Sequence, residues 1–471
     1  MTTILRAEKV SYTYPQNHRG VVPVSISLQR GDGLFIQGQS GSGKSTLARC
    51  LTGLIPNLYH GQLNGEVWVN GRKSDEMQLW EISEQVGLVF QNPALQMLAT
   101  SVEEEIFFGL ENLGLSHSEI QKRFENAIEL FDLGDFVKRS PYSLSGGEQQ
   151  KLALASVIAR SPSVLVLDEP LSMLDSTAAS EFVNFLHKLL NNGMSIVICE
   201  HRHQYLQTIP SLKTLDLESS TIAQHSICDY VPGYPLSREL FSLSINGLTV
   251  DRGKNRILDN LSLDCSSGQV IALVGRNGSG KTTLLRALAG LQPFQGSIHC
   301  NESGRGTDLF PQFNMVFQNP DTQLFNPTVR EEILYKIPDY NQVLYSWLIE
   351  ALDLQRYEET QPLLLSEGEK RRVALATAIM HPHKHGVLLD EPSLGQDRIH
   401  KEFLIRLLRE MAKAGWFVLF TTHDLDLASQ ANRLILLTNH GIVCDGPTRE
   451  VFEDKHSWDE AGLLLPSWIT Q

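Results

Sequence analysis

The sequence contains one eight-residue pattern twice: Gly38-Gln39-Ser40-Gly41-Ser42-Gly43-Lys44-Ser45 and Gly275-Arg276-Asn277-Gly278-Ser279-Gly280-Lys281-Thr282. Both copies fit G-x-x-x-x-G-K-[ST], a loop that holds phosphate groups. The glycines let backbone N–H groups turn towards an anion, the lysine reaches the β- and γ-phosphates, and the hydroxyl takes Mg²⁺. Two matches make a chance glycine turn a poor explanation.

Each loop has the flanking elements that the pattern requires. A short apolar run precedes it, Leu34–Ile36 in the first copy and Val270–Val274 in the second, and both runs predict a strand. A helical pattern follows, at Thr46–Leu54 and at Thr283–Leu291. The helix N-terminus adds positive dipole to the phosphate cradle. The order strand, loop, helix predicts an α/β fold around a nucleotide.

Length and composition indicate a globular protein with two large domains. The chain has 471 residues, 42% hydrophobic and 20% charged, and the loop lysines lie half the chain apart. The net charge of −14 argues against a dedicated nucleic-acid binder. Six scattered cysteines without a C-x-x-C pair indicate reduced thiols. Met1–Val10 lacks the apolar core of a signal peptide, and no stretch approaches the ~18 apolar residues of a membrane span.

The second half repeats the motifs of the first half in the same order. They are Val89–Pro93 and Val316–Pro320, then Leu144–Glu148 and Leu365–Glu369, then Asp168–Pro170 and Asp390–Pro392, and last His201 and His423. Such a period indicates two copies of one domain. We therefore predict domains at residues 1–235 and 236–471. The segment between the loop lysine and the signature serine is shorter in the second copy, so its helical region should be smaller.

Residue chemistry suggests a role for each repeated motif. The apolar run before each Asp-Glu predicts a buried strand that delivers both carboxylates to its C-terminal end, where ligands of open α/β sheets collect. Aspartate would bind Mg²⁺ and glutamate would act as general base on a water molecule. Both histidines follow their aspartate at the same spacing, which favours a shared function over an isolated structural histidine. Ser145 and Ser366 are predicted to N-cap helices.

Together the motifs resemble the ATP-binding cassette (ABC) superfamily over nearly the whole chain: Walker A, Q-loop, signature, Walker B, D-loop and H-loop. The resemblance implies two tandem P-loop ABC ATPase domains. Each would have a RecA-like α/β core, an antiparallel β subdomain and a helical subdomain. It also implies an intramolecular head-to-tail sandwich, in which the signature turn of one domain closes over ATP held by the P-loop of the other.

The site residues follow from the motifs and this resemblance. The predicted catalytic residues are Glu169, His201, Glu391 and His423. The predicted Mg²⁺ ligands are Ser45, Gln91, Asp168, Thr282, Gln318 and Asp390. The predicted ATP-binding residues are Tyr14, Gly38, Gln39, Ser40, Gly41, Ser42, Gly43, Lys44, Ser45, Thr46, Ser145, Gly146, Gly147, Gly275, Arg276, Asn277, Gly278, Ser279, Gly280, Lys281, Thr282, Thr283, Ser366 and Gly368.

Two positions depart from the family pattern. Glu367 stands where the signature usually has glycine, and a carboxylate near a triphosphate is unfavourable unless it points away. Arg252 stands where the second copy should have the adenine-stacking aromatic that Tyr14 provides in the first. Arginine can also stack on a base. Both copies keep their glutamate and histidine, so we predict that both sites hydrolyse ATP.

The phrases after the Q-loops, Phe90–Leu98 and Phe317–Phe325, resemble energy-coupling-factor (ECF) ATPases, as do Val102–Leu113 and Cys199–Arg202. This implies an ATPase subunit that drives uptake of a vitamin, vitamin precursor or metal ion. Its partners would be a membrane scaffold (T-type) subunit and a substrate-binding membrane subunit, and it would lie peripherally at the cytoplasmic face. A twin ATPase of a sugar-type importer and a soluble ribosome-associated ABC ATPase are the alternatives.

Two charged clusters remain open to interpretation. Acidic residues after each Q-loop, Glu103, Glu104 and Glu105 and then Glu331 and Glu332, are candidates to meet arginines of the membrane scaffold. A helix N-terminus also favours acids through its dipole, which is the alternative reason for their presence. His381, His383 and His385 precede the second Asp-Glu strand; a solvated loop explains them better than a metal site, since no cysteine or acid completes a ligand set.

Overall fold

The structure is a computed structural model of the chain. It describes residues 3–15, 20–38, 42–172, 174–200, 203–209, 211–217, 241–253, 255–302, 305–306, 313–381, 386–396, 398–439 and 441–465. Contacts divide the chain into two compact units, Met1–Ile222 and Ala223–Gln471. The boundary predicted between residues 235 and 236 lies outside the described residues and stays a prediction.

The first unit alternates strands and helices along the chain. Its strands are β1 (Thr3–Thr13), β2 (Gly20–Gln29), β3 (Gly33–Gly38), β4 (Gln62–Val69), β5 (Arg72–Lys73), β6 (Val86–Val89), β7 (Val164–Asp168), β8 (Ser195–Cys199) and β9 (Leu212–Leu217). Its helices are α1 (Lys44–Leu51), α2 (Leu54–Asn57), α3 (Leu79–Gln85), α4 (Val102–Glu111), α5 (His117–Phe131), α6 (Gly146–Ala159), α7 (Ser176–Asn191) and α8 (His203–Leu206). Short 3₁₀ turns lie at Ser74–Glu76, Pro93–Gln96, Gly134–Phe136 and Pro141–Ser143.

These strands form two sheets of different kinds. The order β6-β7-β8-β3-β9 makes a parallel sheet of five strands, and β2-β1-β4-β5 makes an antiparallel sheet of four. Every residue of β7 and of β8 is buried, as expected for central strands of a parallel sheet covered on both faces. The carboxyl ends of β3 and β7 therefore bring the phosphate loop and the Asp-Glu pair to one edge.

The second unit repeats this plan. Its strands are β10 (Ser242–Arg252), β11 (Asn255–Ser266), β12 (Val270–Val274), β13 (Gln295–Glu302), β14 (Arg305–Gly306), β15 (Phe313–Val316), β16 (Gly386–Asp390), β17 (Phe417–Thr421), β18 (Arg433–Thr438) and β19 (Gly441–Pro447). Its helices are α9 (Lys281–Leu288), α10 (Val329–Ile333), α11 (Gln342–Ala351), α12 (Glu367–Met380), α13 (Arg398–Lys413), α14 (Leu425–Ala428), α15 (Thr448–Glu453) and α16 (Lys455–Glu460). Its 3₁₀ turns lie at Pro320–Thr322, Gln355–Tyr357 and Pro362–Leu364.

The sheets of the second unit match those of the first, with one strand more. The order β15-β16-β17-β12-β18-β19 makes a sheet of six, in which β19 runs antiparallel to its neighbour. The order β11-β10-β13-β14 makes an antiparallel sheet of four. The predicted fold class is confirmed: each unit has an α/β core, an antiparallel β subdomain and a helical region.

The helices after the loops differ slightly from the prediction. Both begin at the loop lysine itself, two residues before the predicted start, and the N-cap glycine before each lysine has a left-handed backbone, which glycine adopts readily. α1 ends at Leu51 and α9 at Leu288, where Gly53 and Gly290 again have positive φ. Leu54 belongs to the separate helix α2.

The helical regions follow the predicted pattern. In α5, Ile120, Phe124 and Phe131 are buried, Ile128 is half-buried, and the Phe124 ring stacks on Phe107 with centroids 4.7 Å apart. The second copy is shorter, as predicted, since α10 has 5 residues against 10 in α4, and α11 has 10 against 15 in α5. No helix among the described residues combines the length and apolarity needed to cross a membrane.

Candidate functional site

The loop lysines fold back over their own loops. Lys44 Nζ donates to the carbonyl oxygen of Gly38 at 2.8 Å, and Lys281 Nζ donates to Gly275 at 2.8 Å and to Arg276 at 3.0 Å. Both side chains are buried, and burial is the main cause that lowers the pKa of Lys44. Each cation thus contacts the first residue of its own loop. Gln39, Ser40 and Gly41 lie outside the described residues.

The last glycine of each loop is required by close packing. Gly43 and Gly280 have φ of +97° and +95°, a region that side chains disfavour. A Cβ at Gly43 would lie 2.4 Å from the oxygen of Gly20, and one at Gly280 would lie 2.6 Å from a methyl group of Leu258. At Gly278, with φ of +82°, a Cβ would meet nothing within 4 Å, so the second loop keeps one open side.

One serine hydroxyl in each loop is buried without a hydrogen-bond partner in the described part of the chain. These are Ser42 Oγ and Ser279 Oγ. An unsatisfied buried hydroxyl is costly unless a ligand completes it. The two loops therefore fit a phosphate group.

A hydroxyl and a carboxylate meet at the same edge of each parallel sheet. Ser45 Oγ donates to Asp168 Oδ1 at 3.0 Å, and Thr282 Oγ1 donates to Asp390 Oδ1 at 3.1 Å. Hydroxyl and carboxylate oxygens are ligands that Mg²⁺ prefers. The structure thus brings together the predicted ligands from residues far apart in sequence, and the donor set fits that ion.

Burial changes the acidity of these aspartates. The pKa of Asp168 is raised to about 6, first by burial and then by the negative charge of Glu169. Burial also raises the pKa of Asp390, while hydrogen bonds from Thr421 and Thr282 oppose the shift. Each carboxylate therefore lies where a cation would offset the loss of water.

The two glutamates after the aspartates each contact a residue that the sequence predicts for the site. Glu169 and Glu391 both have left-handed backbone, with φ of +49° and +52°, which turns each side chain out of the strand direction. Glu169 Oε2 accepts a hydrogen bond from Gln91 Nε2 at 2.6 Å. Glu391 Oε1 lies 3.3 Å from His423 Nε2, and Oε2 accepts from the His423 backbone at 3.1 Å.

In the second unit, the predicted base Glu391 therefore contacts the predicted histidine His423. In the first unit, the predicted base Glu169 contacts the Q-loop glutamine Gln91. Burial raises the pKa of Glu391 to about 7, and the nearby Lys281 opposes that shift. A carboxylate with this pKa can accept a proton near neutral pH. His201 lies outside the described residues, as do Met173 of the first D-loop, Ser172–Asp175, and Asp397 of the second, Ser393–Asp397.

The signature serines cap helices as predicted. Ser145 caps α6 and Ser366 caps α12. In each helix the side chain of the glutamate three residues later accepts a hydrogen bond from the serine backbone N–H, at 2.7 Å for Glu148 and 2.9 Å for Glu369. Gly146 and Gly147 form the first turn of α6. Glu367 and Gly368 do so in α12, where the Gly368 oxygen accepts from Gln396 Nε2 at 3.2 Å.

The two positions predicted to meet the adenine differ in environment. Tyr14 is half-buried, its hydroxyl accepts from Arg49 at 3.0 Å, and its ring meets Tyr12 edge-on. Arg252 is exposed at the end of β10. The interpretation of Gln318 as a Mg²⁺ ligand stays a prediction; its backbone oxygen accepts from Arg371 at 3.1 Å.

The interpretation of two acidic residues as partner contacts is wrong. Glu105 and Glu332 are buried, at 6% and 2% exposure. Glu105 accepts from the backbone of Leu98 and Ala99, both at 2.8 Å. Glu332 accepts from Phe325 and Asn326 at 2.9 and 2.7 Å. These carboxylates hold the loop that precedes their helix, so they cannot reach an outside arginine.

Sequence reasoning also missed residues beside the reacting groups. Thr421 Oγ1 donates to Asp390 Oδ1 at 2.7 Å and accepts from the Glu391 backbone at 3.0 Å. Cys199 is the pairing partner of Asp168 in the first unit. In that unit Glu200, buried, accepts from the Leu171 backbone at 2.9 Å. An alignment of the ends of β8 and β17, the strands that precede the two H-loops, would have indicated these positions.

No group of three or more histidine, cysteine, aspartate or glutamate side chains that could hold a metal ion occurs among the residues that the structure describes. His381 is the C-cap residue that follows α12, whereas His383 and His385 lie outside the described residues.

Comparison with known proteins decides the family. The ABC transporter family profile matches residues 21–172 and 258–394, together more than half of the chain. The chain belongs to the ABC transporter family. The ATPase domains of this family bind ATP with Mg²⁺ and hydrolyse it, so this chain is an ATPase with two such domains.

Relatives of similar length support the assignment. A protein of Treponema denticola, provisionally named as an ABC transporter ATP-binding protein, is 31% identical over 93% of this chain and 96% of its own. A Bacillus subtilis protein provisionally named as an HMP/thiamine import ATP-binding protein is 30% identical over 99% of this chain and 95% of its own.

One solved structure is similar in fold across both domains. It is the archaeal ribosome recycling factor in complex with a ribosomal stalk protein, with a TM-score of 0.61 and 21% identity. The match covers 95% of this ABC chain and 92% of that one. At this identity the likeness indicates fold alone.

Proposed function

We propose that this ABC ATPase is the energy-coupling subunit of an ECF-type importer for a vitamin, vitamin precursor or metal ion. The relative named for HMP/thiamine import spans nearly the whole chain, which supports this class of substrate. The ECF-like phrases around Gln91 and Gln318 support the importer type. Under this proposal the chain lies at the cytoplasmic face of the membrane, bound to a scaffold subunit and a substrate-binding subunit.

The two ATP sites are proposed to form between the domains. The signature turn at Ser366 and Gly368 would complete the site of Lys44, and the turn at Ser145–Gly147 would complete the site of Lys281. The capped helices α6 and α12 support this, because an N-terminus with free N–H groups attracts a phosphate. Within its own unit, each signature turn begins a helix. Under this proposal the phosphate that it binds belongs to the ATP held by the other unit.

Within each site the residues are proposed to act as follows. Lys44 and Lys281 hold the β- and γ-phosphates, and Glu169 and Glu391 accept the proton of the attacking water. Mg²⁺ would be held by the hydroxyl, glutamine and aspartate of each copy and would neutralise charge on the phosphates. His423 orients Glu391, and His201 is assigned the same role.

The observation that carries the membrane proposal is a set of exposed, large apolar side chains that follows each Q-loop in sequence. In the first unit it consists of Leu95, Leu98 and Phe108, which are 66%, 73% and 54% exposed. In the second unit Phe325 and Tyr335 correspond, at 65% and 37% exposure, with their rings 5.0 Å apart. Clusters of exposed large apolar side chains mark protein contacts.

Acidic residues neighbour these apolar side chains in sequence. Glu331 is exposed; Glu103 pairs with Lys138, and Glu104 accepts from the Thr100 hydroxyl at 2.5 Å. Unlike the buried Glu105 and Glu332, these three carboxylates reach the surface, where a basic partner can contact them. An apolar anchor with an acidic rim suits a scaffold helix that carries arginine.

Membrane recruitment tests the proposal. Leu98→Asp and Phe108→Asp should release the chain from membranes in cells that hold its complex, while ATP hydrolysis by the purified chain stays within about twofold, because surface substitutions seldom change stability. The control is Leu58→Asp, which is equally exposed at 62% after α2. The proposal would be ruled out if both variants stayed bound to membranes. It would also be ruled out if the native chain purified with ribosomal RNA instead of membrane proteins.

A further inference from the structure

Four corresponding positions differ in charge between the two copies of the signature region. Ala94, Gly146, Gln149 and Gln150 of the first unit align with Asp321, Glu367, Lys370 and Arg371 of the second. All four residues are neutral in the first unit. In the second unit all are charged, with two acids and two bases. The unusual Glu367 is therefore one member of a charge-balanced set.

The four charged side chains contact one another. Lys370 Nζ lies 2.7 Å from Asp321 Oδ1 and 3.7 Å from Glu367 Oε1. Arg371 Nη2 lies 4.0 Å from Glu367 Oε2. The side chains of Lys370 and Arg371 are only 10% and 6% exposed, so solvent and salt screen these pairs less than surface pairs. Two cations of its own helix thus offset the charge of Glu367.

Arg371 also joins three functional segments of the second unit. Its Nη1 donates to the Leu394 oxygen of the D-loop at 2.8 Å, and its Nη2 donates to the Gln318 oxygen of the Q-loop at 3.1 Å. Since Arg371 belongs to the first turns of α12, these bonds fix the signature turn relative to both loops. A guanidinium can make several such bonds at once because its five donors lie in one rigid plane.

The first unit has no charge to balance at these positions. Gln149 Nε2 donates to the Pro141 oxygen at 3.0 Å. Gln150 is buried, and its Nε2 has no hydrogen-bond partner within the described residues. The contrast indicates that the basic pair accompanies Glu367 and is not a general need of the fold.

We propose that Lys370 and Arg371 are positioning residues that keep the signature turn of the second unit competent for ATP despite Glu367. They neutralise its carboxylate and hold the turn against Gln318 and Leu394. The inference rests on the proposed pairing, in which this turn completes the ATP site of Lys44. Without the two cations, Glu367 would present a bare negative charge to the triphosphate.

The test measures one site at a time in the full chain. In a Glu391→Gln background only the first catalytic centre hydrolyses ATP. There, Arg371→Gln should raise KM and lower kcat/KM by about tenfold, the effect of one unfavourable charge contact of ~1.4 kcal/mol. Adding Glu367→Gly places the first unit's residues, those of Gly146 and Gln150, at these two positions and should restore kcat/KM to within about twofold.

Two outcomes would overturn the proposal in that background. One is that Arg371→Gln alone leaves KM and kcat/KM unchanged. The other is that the double variant is as impaired as the single one, since a purely structural arginine would not be rescued by removing a carboxylate. Thermal melting of each variant, measured in parallel, separates a loss of folded protein from a change in KM.

A transplant into the first unit leaves Arg371 intact and covers the case in which its variant does not fold. In a Glu169→Gln background, Gly146→Glu alone should impair the second site, and adding Ala94→Asp, Gln149→Lys and Gln150→Arg should restore it. Absence of that restoration contradicts the proposal.

The outcome is distinguishable from failure of the importer proposal. All of these assays use the chain without a membrane, so a wrong scaffold assignment leaves them unchanged. If instead Arg371→Gln impairs only the second centre, in the Glu169→Gln background, the network acts within its own unit and the inference falls.

Discussion

At the scale of single residues, the two centres share their chemistry. Both join a hydroxyl of the phosphate loop to an aspartate at the end of a buried strand. The neighbouring base then bonds to Gln91 in the first unit and to His423 in the second. Both arrangements keep a carboxylate oriented beside the proposed phosphate position, so we expect two working sites.

Substitution of each base tests that expectation. Glu169→Gln and Glu391→Gln should each remove about half or more of the steady-state ATPase activity, and the double variant should lose about 10²-fold or more, as expected for loss of general-base catalysis. Turnover of purified protein is the measurement. Glu453→Gln, on the exposed face of α15, is the matched control. Full activity in either single variant would contradict two working sites.

At the scale of helices and loops, buried carboxylates shape the segment after each Q-loop. Glu105 and Glu332 lie in the first turns of α4 and α10 and accept backbone N–H groups of the preceding loop. Their neighbours Glu104 and Glu331 are exposed instead, and Glu104 accepts a hydrogen bond from Thr100 just before its helix. One acidic run thus contains both structural and surface residues, with the burial of each position set by the helix.

Alanine substitutions separate these two kinds of acid. Glu332→Ala should lower the free energy of unfolding by about 2–3 kcal/mol, because its charge-assisted bonds are lost and two partly buried backbone N–H groups lose their acceptor. Glu331→Ala, one residue earlier and exposed, should change it by less than about 0.5 kcal/mol. Urea unfolding of both variants is the measurement, and equal effects would contradict the assignment.

At the scale of the whole molecule, each unit contains a complete set of the same elements around its own core. The first core includes Leu47, Val166 and Val197, and the second includes Leu284, Leu388 and Leu419. A fused repeat lets two related sites diverge within one chain. The network around Glu367 and the exposed Arg252 are such differences.

Closure of the two domains is the prediction at this scale. With ATP and Mg²⁺, the Glu169→Gln/Glu391→Gln variant should become more compact, because bound ATP cannot be hydrolysed and each signature turn then stays on the opposite nucleotide. Small-angle X-ray scattering measures the change in radius of gyration. Lys44→Ala/Lys281→Ala, which lacks the phosphate-binding cations, should stay unchanged. A double glutamine variant that does not contract would contradict the sandwich.

Local sequence determined the elements and most of the candidate site. Glycine spacing, apolar runs and capping residues act over a few positions, so they predicted both phosphate loops, the buried strands before Asp168 and Asp390, and the helices capped by Ser145 and Ser366. The repeat itself predicted two domains and the smaller second helical region, because motif order and spacing are visible in one dimension.

Only the tertiary structure decided which charged groups are buried and which partners they meet. Glu105 and Glu332 resemble their exposed neighbours in sequence, but their helices turn them inward to orphan N–H groups of a loop. Glu367 looks unfavourable in the motif alone, yet Lys370 and Arg371 lie beside it, and Asp321 from a distant segment joins them. Burial and charge pairing depend on contacts between distant residues, which residue type and spacing do not specify.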